Sequence, residues 1–533
     1  MHDDGTSAEP LGGEIREVAG VDRAGWVEGG EVAVHPDAEN WPSKVVETHI
    51  STLFFVGNRV YKVRKPVQFG FLDFRERAAR RDDCEKEISL NRRLAPDVYL
   101  GMADLSMEGR ILDHVVVMRR MPEDRQLATL ADRGADLDPW LRRVAETLAA
   151  FHASAERSPA ISADATATAL RGVWQENFDE TDRFVGSVLD DDDEMGIRIL
   201  VDRWIEGRTP LLEARIASGR VCDGHGDLQA ADIFCLDDGV RILDCVEFSD
   251  RLRHGDVCAD VSFLAMDLER LGRSGAANRF LLDYQQLAGD PFPQTLVHHY
   301  CASRAYVRAK VACLRAEQGS DGSGKEARRL QKLALDHLRT ARVRLLLVGG
   351  LPGCGKTTLA AGLGAATGWT VLRSDAIRRQ TSSPATEPSP GGVPGYRAAG
   401  YGPAATVAVY EELLQQAEHR LGMGQSVILD ASWTDRSRRD AARALADRTC
   451  SDLAEFRCET DSNLAADRIA RRLEDNSDIS EATPEIARAM SRSADPWPSA
   501  TSIDTGALAP DEAVTRVLVT LSRAGNDIDR STS

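Results

Sequence analysis

Residues 350–357 read Gly-Leu-Pro-Gly-Cys-Gly-Lys-Thr. The pattern G-x-x-x-x-G-K-[ST] constrains the fold because it works only between a buried strand and the start of a helix. Both flanks are present. Val343-Arg-Leu-Leu-Leu-Val-Gly349 is a short apolar run suited to a buried parallel strand. Thr358-Leu-Ala-Ala-Gly-Leu-Gly364 reads as the opening of a helix. Such a junction turns unpaired N–H groups and the positive end of a helix dipole toward a polyphosphate. Gly353 and Gly355 let the backbone curl around phosphate without a Cβ in the way. Lys356 is expected to reach the β- and γ-phosphates of ATP, and the Thr357 hydroxyl to ligate Mg²⁺. Gly350, Leu351, Pro352, Cys354 and Thr358 complete the predicted ATP-binding loop.

A chain of 533 residues is too long for one ordinary core, so two or three domains are expected. No stretch of about 18 uncharged apolar residues predicts a membrane span. The start, Met-His-Asp-Asp-Gly, lacks the basic and apolar regions of a signal peptide. The ten cysteines contain no C-x-x-C pair, which predicts reduced thiols in a cytoplasmic protein and no zinc framework. Net charge is −18; most of such a surface repels nucleic-acid backbones, so no nucleic-acid partner is expected.

Residues 1–40 form an N-terminal segment with no clear pattern. From there, Thr52-Leu-Phe-Phe-Val-Gly-Asn-Arg-Val-Tyr-Lys-Val-Arg64 has two β-rich runs around the turn dipeptide Gly57-Asn58. This predicts a hairpin with Lys62 on its second strand. A charged stretch of helical spacing follows, Arg75 to Leu94. A strand lysine followed by a helix glutamate is an arrangement that holds ATP phosphates. Further on come Asp223-Gly-His-Gly-Asp-Leu-Gln-Ala-Ala-Asp-Ile-Phe234 and Val240-Arg-Ile-Leu-Asp-Cys-Val-Glu-Phe248. Three aspartates so spaced, the last closing an apolar strand, suit phosphoryl transfer. One carboxylate accepts the proton of an acceptor hydroxyl, and two hold Mg²⁺.

His225-Gly-Asp227, Asp232 and Asp244 resemble the catalytic loop and metal-binding segment of the aminoglycoside phosphotransferase family, which has a protein-kinase-like fold. The resemblance covers roughly residues 45–340. It implies that Lys62 anchors ATP, with Glu87, ahead of the alternative Glu85, as its helix partner, and that Asp227 is the catalytic base. Asp232 and Asp244 then hold the metal. Met118-Arg-Arg-Met-Pro122 sits where a hinge between lobes is expected, and Leu252-Arg-His-Gly-Asp256 with Asp260 where the catalytic loop is braced. The chain departs from the family pattern twice: Gln229 replaces a second histidine, and Asp232 an asparagine. The extra carboxylate beside Asp227 and Asp244 raises a pKa among them unless metal is bound. No glycine-rich loop precedes Lys62. The acidic run Asp190–Glu194 reads as a solvated loop.

In the C-terminal half, Thr370-Val-Leu-Arg-Ser-Asp375 and Ser426-Val-Ile-Leu-Asp430 each read as a strand ending in aspartate. Strand C-termini collect ligands in doubly wound sheets. Asp375 is expected to act catalytically near the acceptor, and Asp430 to hold Mg²⁺. Arg468, Arg471 and Arg472 lie on a helical stretch with two readings: a lid over the phosphates, which makes Arg468 and Arg472 ATP contacts, or a solvated face paired with Glu474 and Asp475. Thr381 to Pro403, with Tyr396, Arg397 and Tyr401, reads as a mobile substrate-side loop. This half resembles P-loop kinases related to gluconate kinase, chloramphenicol phosphotransferase and the zeta-toxin group.

The expected architecture is an α+β protein-kinase-like bilobal domain, residues 41–340 with lobes of about 41–120 and 121–340. An α/β P-loop NTPase domain with a parallel sheet follows over 341–525, then a tail over 526–533. In this order the two halves resemble a family of uncharacterised bacterial two-module proteins. The implied activity is ATP-dependent, Mg²⁺-dependent phosphotransfer to a small-molecule hydroxyl. Two alternatives stand beside it: a non-catalytic nucleotide-sensing first module, and a zeta-toxin-like kinase of a nucleotide-sugar.

Overall fold

The computed structural model describes residues 14–17, 44–48, 50–69, 72–107, 110–381, 403–475 and 483–527. The Thr381–Pro403 loop expectation, apart from its end residues, lies outside them, as does most of the N-terminal segment. The chain divides into two compact units, residues 1–165 with 219–291, and residues 166–218 with 292–533. The junction expected near residue 341 falls within the second.

The first unit opens on a six-stranded antiparallel sheet. Its strands are β1 (Glu14–Glu17), β2 (Lys44–Glu47), β3 (Ser51–Val56), β4 (Arg59–Arg64), β7 (Tyr99–Met107) and β8 (Arg110–Arg119), in the order β1-β7-β8-β4-β3-β2. A short hairpin, β5 (Gln68–Phe69) with β6 (Leu72–Asp73), leads into helix Arg77–Asn91. Gly57 takes a left-handed φ of 54° at the β3–β4 turn, the conformation a tight hairpin demands. Strand alternation then divides β4 between two environments. Val60 packs with Cys84 and Ile88 of the helix, while Tyr61 packs with Val115 and Val117. Lys62 shares the helix-facing side with Val60.

The rest of this unit carries β9 (Val221–Asp223), the hairpin β10 (Ile233–Leu236) with β11 (Gly239–Ile242), and β12 (His254–Asp256), which pairs antiparallel with β9. Helices Asp138–Ser154, Val257–Arg270 and Ser274–Ala288 support them. The loop between β9 and β10 and the turn after β11 hold the aspartates singled out above.

The second unit is built on a parallel sheet of β13 (Arg344–Gly349), β14 (Thr370–Arg373), β15 (Val427–Asp430), β16 (Asp452–Glu459) and β17 (Thr501–Asp504), ordered β14-β15-β13-β16-β17. Central β13 is apolar throughout because both its faces are covered. Leu345 and Leu347 pack with Leu413 and Trp433 on one face; Leu346 and Val348 pack with Leu359 and Val517 on the other. Helices Ala167–Thr181, Asp191–Ala217, Gln294–Glu317 and Ser323–Thr340 belong to the same unit. Helix Asp191–Ala217 is pressed against the chain before β16: a Cβ at Gly207 would lie 2.3 Å from the Thr449 carbonyl oxygen. Buried Arg208 donates to that same oxygen.

Two local expectations need correction. Asp190–Glu194 is not a loop: Asp190 caps helix Asp191–Ala217 by accepting from the Asp192 and Asp193 amides, each at 3.0 Å. The acidic run suits the positive end of the helix dipole. Asp375 does not end a strand: β14 stops at Arg373, and Ser374-Asp375 opens helix Ser374–Thr381, as serine and aspartate favour helix starts. Among the described residues, no helix is long and apolar enough to cross a membrane.

Candidate active sites

In the first unit two separate segments converge on Lys62 of β4. Its Nζ donates to Glu87 Oε1 at 2.8 Å and to Asp244 Oδ1 at 3.0 Å. Burial opposes the charge on Lys62, but Asp244 and Glu87 outweigh it and hold the ammonium's pKa well above normal. Lys62 in turn holds the Asp244 carboxyl below its usual range. The Asp244 side chain is 53% exposed and so open to a ligand. Its backbone is left-handed, φ 64°, an unusual state for a residue other than glycine. The neighbouring amides are anchored: Leu243 N–H to the Asp232 carbonyl at 2.9 Å and Cys245 N–H to Asn91 Oδ1 at 2.9 Å.

Asp227 and Asp244 act electrostatically on Asp232. Burial, then the charges of Asp244 and Asp227, push the Asp232 carboxyl well above its usual range. Gln229 Nε2 donates to Asp227 Oδ2 at 2.8 Å. The loop beneath is rigidly tied. Asp260 accepts from the amides of His225 at 2.7 Å and Gly226 at 2.9 Å. His225 Nε2 donates to the Leu243 carbonyl at 3.0 Å, leaving Nδ1 to accept from the Asp227 amide at 3.3 Å. Burial lowers the His225 pKa, which suits this neutral tautomer. Gly224 is obligatory here, because a Cβ would lie 2.3 Å from Asp260 Oδ2.

Sequence reasoning missed the hub of this site. Arg64, 2% exposed, donates to Ser51 Oγ at 2.7 Å, Asp83 Oδ2 at 2.6 Å and Glu87 Oε2 at 2.8 Å, and it also bonds Glu247. It therefore fixes the carboxylate that holds Lys62 and joins β4, the helix and the segment after Asp244. Asp83, Glu87 and Glu247 stand close enough together to ligate a cation, but the guanidinium already serves all three. Burial pushes the Glu247 carboxyl up to about 7, against the pull of Arg64. The only sequence signal was alternation, which puts Arg64 on the same face of β4 as Lys62.

The second unit's site is built around one contiguous loop. Lys356 opens helix Lys356–Thr367 directly after the loop. Burial opposes its charge; Cys354, Asp430 and Asp375 overcome that and raise its pKa. Thr357 Oγ1 donates to Asp430 Oδ2 at 2.8 Å. Burial raises the Asp430 carboxyl, against the pull of Lys356 and Thr357. Arg373 lies 3.3 Å from the same carboxylate, and Arg378 4.0 Å from Asp375. Gly353 has φ 81°, and a Cβ there would meet the Ala465 carbonyl oxygen at 2.4 Å. Leu351 and Pro352 line a cavity beside the loop, and Thr358 is exposed.

Arg468 and Arg472 lie on helix Ser462–Asp475, half-buried, with Arg471 exposed. Arg468 Nη2 donates to the Thr505 carbonyl at 3.0 Å. The side chains of Glu474 and Asp475 lie outside the described residues. Thr505, not foreseen from sequence, knits the site: its hydroxyl meets the Cys354 carbonyl at 2.5 Å and the Glu459 carbonyl at 3.0 Å.

Both sites suit a hard divalent cation by donor chemistry. Asp227, Asp232 and Asp244 offer only oxygen ligands and repel one another without a cation. In the second unit, Asp430 Oδ1 is buried with no hydrogen-bond partner among the described residues, an oxygen available to a metal or its water.

Fold and sites together define a two-module protein, a protein-kinase-like unit with a P-loop kinase unit. The family model described as "AAA domain" matches residues 345–497. The chain is 41% identical over 478 residues to "Uncharacterized protein Rv2004c" of Mycobacterium tuberculosis (strain ATCC 25618 / H37Rv), covering 89% of this chain and 95% of the relative. It belongs to the family of that protein. Among solved structures, the GDP complex of aminoglycoside 2'-phosphotransferase-IIIa is 16% identical, covering 55% of this chain and 93% of its own, with a TM-score of 0.37. A gluconokinase from Sinorhizobium meliloti 1021 is 18% identical, covering 36% and 98%, with a TM-score of 0.26.

Proposed function

We propose that both units bind MgATP and that at least one transfers the γ-phosphoryl group to a hydroxyl of a small molecule. The observation that carries this is the P-loop constellation: Lys356 at a helix N-terminus, with the Thr357 hydroxyl bonded to Asp430 at 2.8 Å. Backbone N–H groups, a lysine and a hydroxyl–carboxylate pair are what a magnesium–triphosphate complex requires. MgATP supplies the transferable phosphoryl group.

Each unit then has the groups for the remaining work. Lys356 and the loop neutralise phosphate charge, Thr357 and Asp430 offer oxygens to Mg²⁺, and Asp375 receives the acceptor's proton. Arg468 and Arg472 extend positive charge toward the loop from the helix above it. In the first unit Lys62 orients phosphate oxygens, Asp232 and Asp244 hold Mg²⁺, and Asp227 receives the acceptor's proton.

One observation favours a second reading for the first unit. Gln229 occupies an oxygen of Asp227, which weakens it as a base. On that reading the unit senses nucleotide and regulates its neighbour without chemistry. ATP turnover of the full chain with a mixed pool of hydroxylated metabolites separates the readings. If Asp227→Asn and Lys356→Ala each remove a distinct part of the turnover, both units are kinases. Loss with Lys356→Ala alone leaves the first unit as a sensor. Unchanged turnover in Lys356→Ala refutes the role given to the loop.

A further inference from the structure

Two of the ten cysteines meet at the phosphate loop. Cys354 belongs to the loop itself, and Cys458 lies near the end of β16. Both are 3% exposed and belong to the same apolar core cluster on one face of the sheet. Gly350 makes room for them: a Cβ there would lie 2.5 Å from Cys354 Sγ and 2.6 Å from the Cys458 carbonyl oxygen. Although buried within the fold, both residues line one cavity of about 590 Å³, which gives a small oxidant a route to the sulfurs. Metal binding does not explain the pair, since two thiols fall short of a zinc ligand set. By contrast, burial pushes the thiols of four of the other eight cysteines, Cys84, Cys222, Cys235 and Cys245, up to about 12, which disfavours the reactive thiolate.

We propose that Cys354 and Cys458 form a reversible disulfide that switches off the phosphate loop. The oxidant is a peroxide. The Cys354 sulfur attacks a peroxide oxygen, the O–O bond breaks, and Cys354 becomes a sulfenic acid as the leaving oxygen departs as water or alcohol. The Cys458 sulfur then attacks the Cys354 sulfur. The S–O bond breaks, and hydroxide leaves with the Cys458 proton as water. Two thiols are oxidised and one peroxide is reduced; a dithiol reverses the change.

Charge sets the order of attack. The neighbouring Cys458 thiol is the main cause that draws the Cys354 thiol down to about 7, with Lys356 adding to it against the effect of burial. The Cys354 thiol, with burial, pushes the Cys458 thiol far up. Cys354 is therefore the nucleophile and Cys458 the resolving thiol. A disulfide requires an S–S distance of about 2.05 Å, shorter than any non-bonded separation. Closing it draws Cys354 toward β16 and strains the Thr505 bond to the Cys354 carbonyl. That residue directly precedes Gly355-Lys356, so the contraction displaces the phosphate-facing amides.

The test uses full-length protein, treated with hydrogen peroxide, alkylated and mapped by mass spectrometry. The expected result is a linked Cys354–Cys458 peptide and a fall in ATP affinity at the P-loop site on the order of 100-fold. Dithiothreitol restores both. Lys356→Ala identifies which binding step in the titration belongs to the loop. Cys458→Ser is expected to bind ATP like reduced wild type and to keep that affinity after peroxide. Absence of the linked peptide overturns the proposal, as does a linked loop that still binds ATP, or loss of binding in oxidised Cys458→Ser. The wild-type map and its reversal need no variant. The binding readout rests on the loop being a nucleotide site. If reduced protein binds no ATP there, that reading fails while the peptide map still decides whether the disulfide forms.

Discussion

The two proposed phosphate sites have opposite electrostatic designs. In the second unit, positive potential is built into the backbone: a glycine loop, a helix N-terminus and Lys356 face Asp430 and Asp375. In the first unit, Lys62 faces Asp227, Asp232 and Asp244, and its own partner Glu87 is negative. One site attracts a polyanion unaided. The other has an excess of carboxylates and needs a divalent cation before a polyanion can approach. The cost of assembly differs as well. The loop is eight consecutive residues, whereas the first site gathers segments from positions 62 to 247 and depends on a buried arginine to align them.

That contrast can be broken at the arginine first. Arg64→Met leaves Asp83, Glu87 and Glu247 buried without their shared cation. The expected loss is about 3–5 kcal/mol, read as a lower denaturation midpoint for the first unit with the second unit's transition unmoved. If the midpoint does not move, Arg64 is not the hub. Next in size, Lys356→Ala removes a charged donor from the loop and should weaken ATP there roughly 100-fold. Titration calorimetry of the full chain would then show one fewer binding step. Chelation of Mg²⁺ sharpens the same point. ATP affinity of the first site should fall further than that of the second, and equal falls would contradict the contrast in charge design.

A smaller effect comes from Glu247. Its carboxyl pKa is raised to about 7 in the folded protein, above an unfolded value near 4.5. Between these values the folded state binds more protons, so stability falls as pH rises from 4.5 to 7. Glu247→Gln keeps an acceptor for Arg64 but removes that titration. It should flatten the slope by about 1–2 kcal/mol across the window, measured by urea unfolding at pH 4.5 and 7.5. An unchanged slope assigns the proton to another member of the cluster. Smallest is Asp232→Asn, which removes one of the crowded carboxylates. It should raise melting temperature without Mg²⁺ by about 2–4 °C and reduce the stabilisation that Mg²⁺ provides. A lower melting temperature without metal would show that Asp232 is not under charge strain.

Much of the molecule was legible as sequence because its information is local. The β3–β4 hairpin followed from Gly57-Asn58 between β-rich runs, and β13 from an apolar run closed by the glycine loop. Expectations failed where one residue type serves two structures. Asp190–Glu194 reads as a solvated loop by charge alone, yet the same charges stabilise a helix start. Ser374-Asp375 reads as a strand end until the helix it opens is seen.

The sequence by itself determined the two modules, the parallel sheet around the loop, and the residue types with phosphate chemistry. These rest on periodicity and on motifs whose physics is complete within a few residues. Only the tertiary structure decided that Arg64 binds three carboxylates from two other segments, and that Cys354 comes beside Cys458 from 104 positions away. Each is a contact between side chains distant in sequence. No local rule specifies such a contact, because packing of the whole core sets which atoms come within a hydrogen bond.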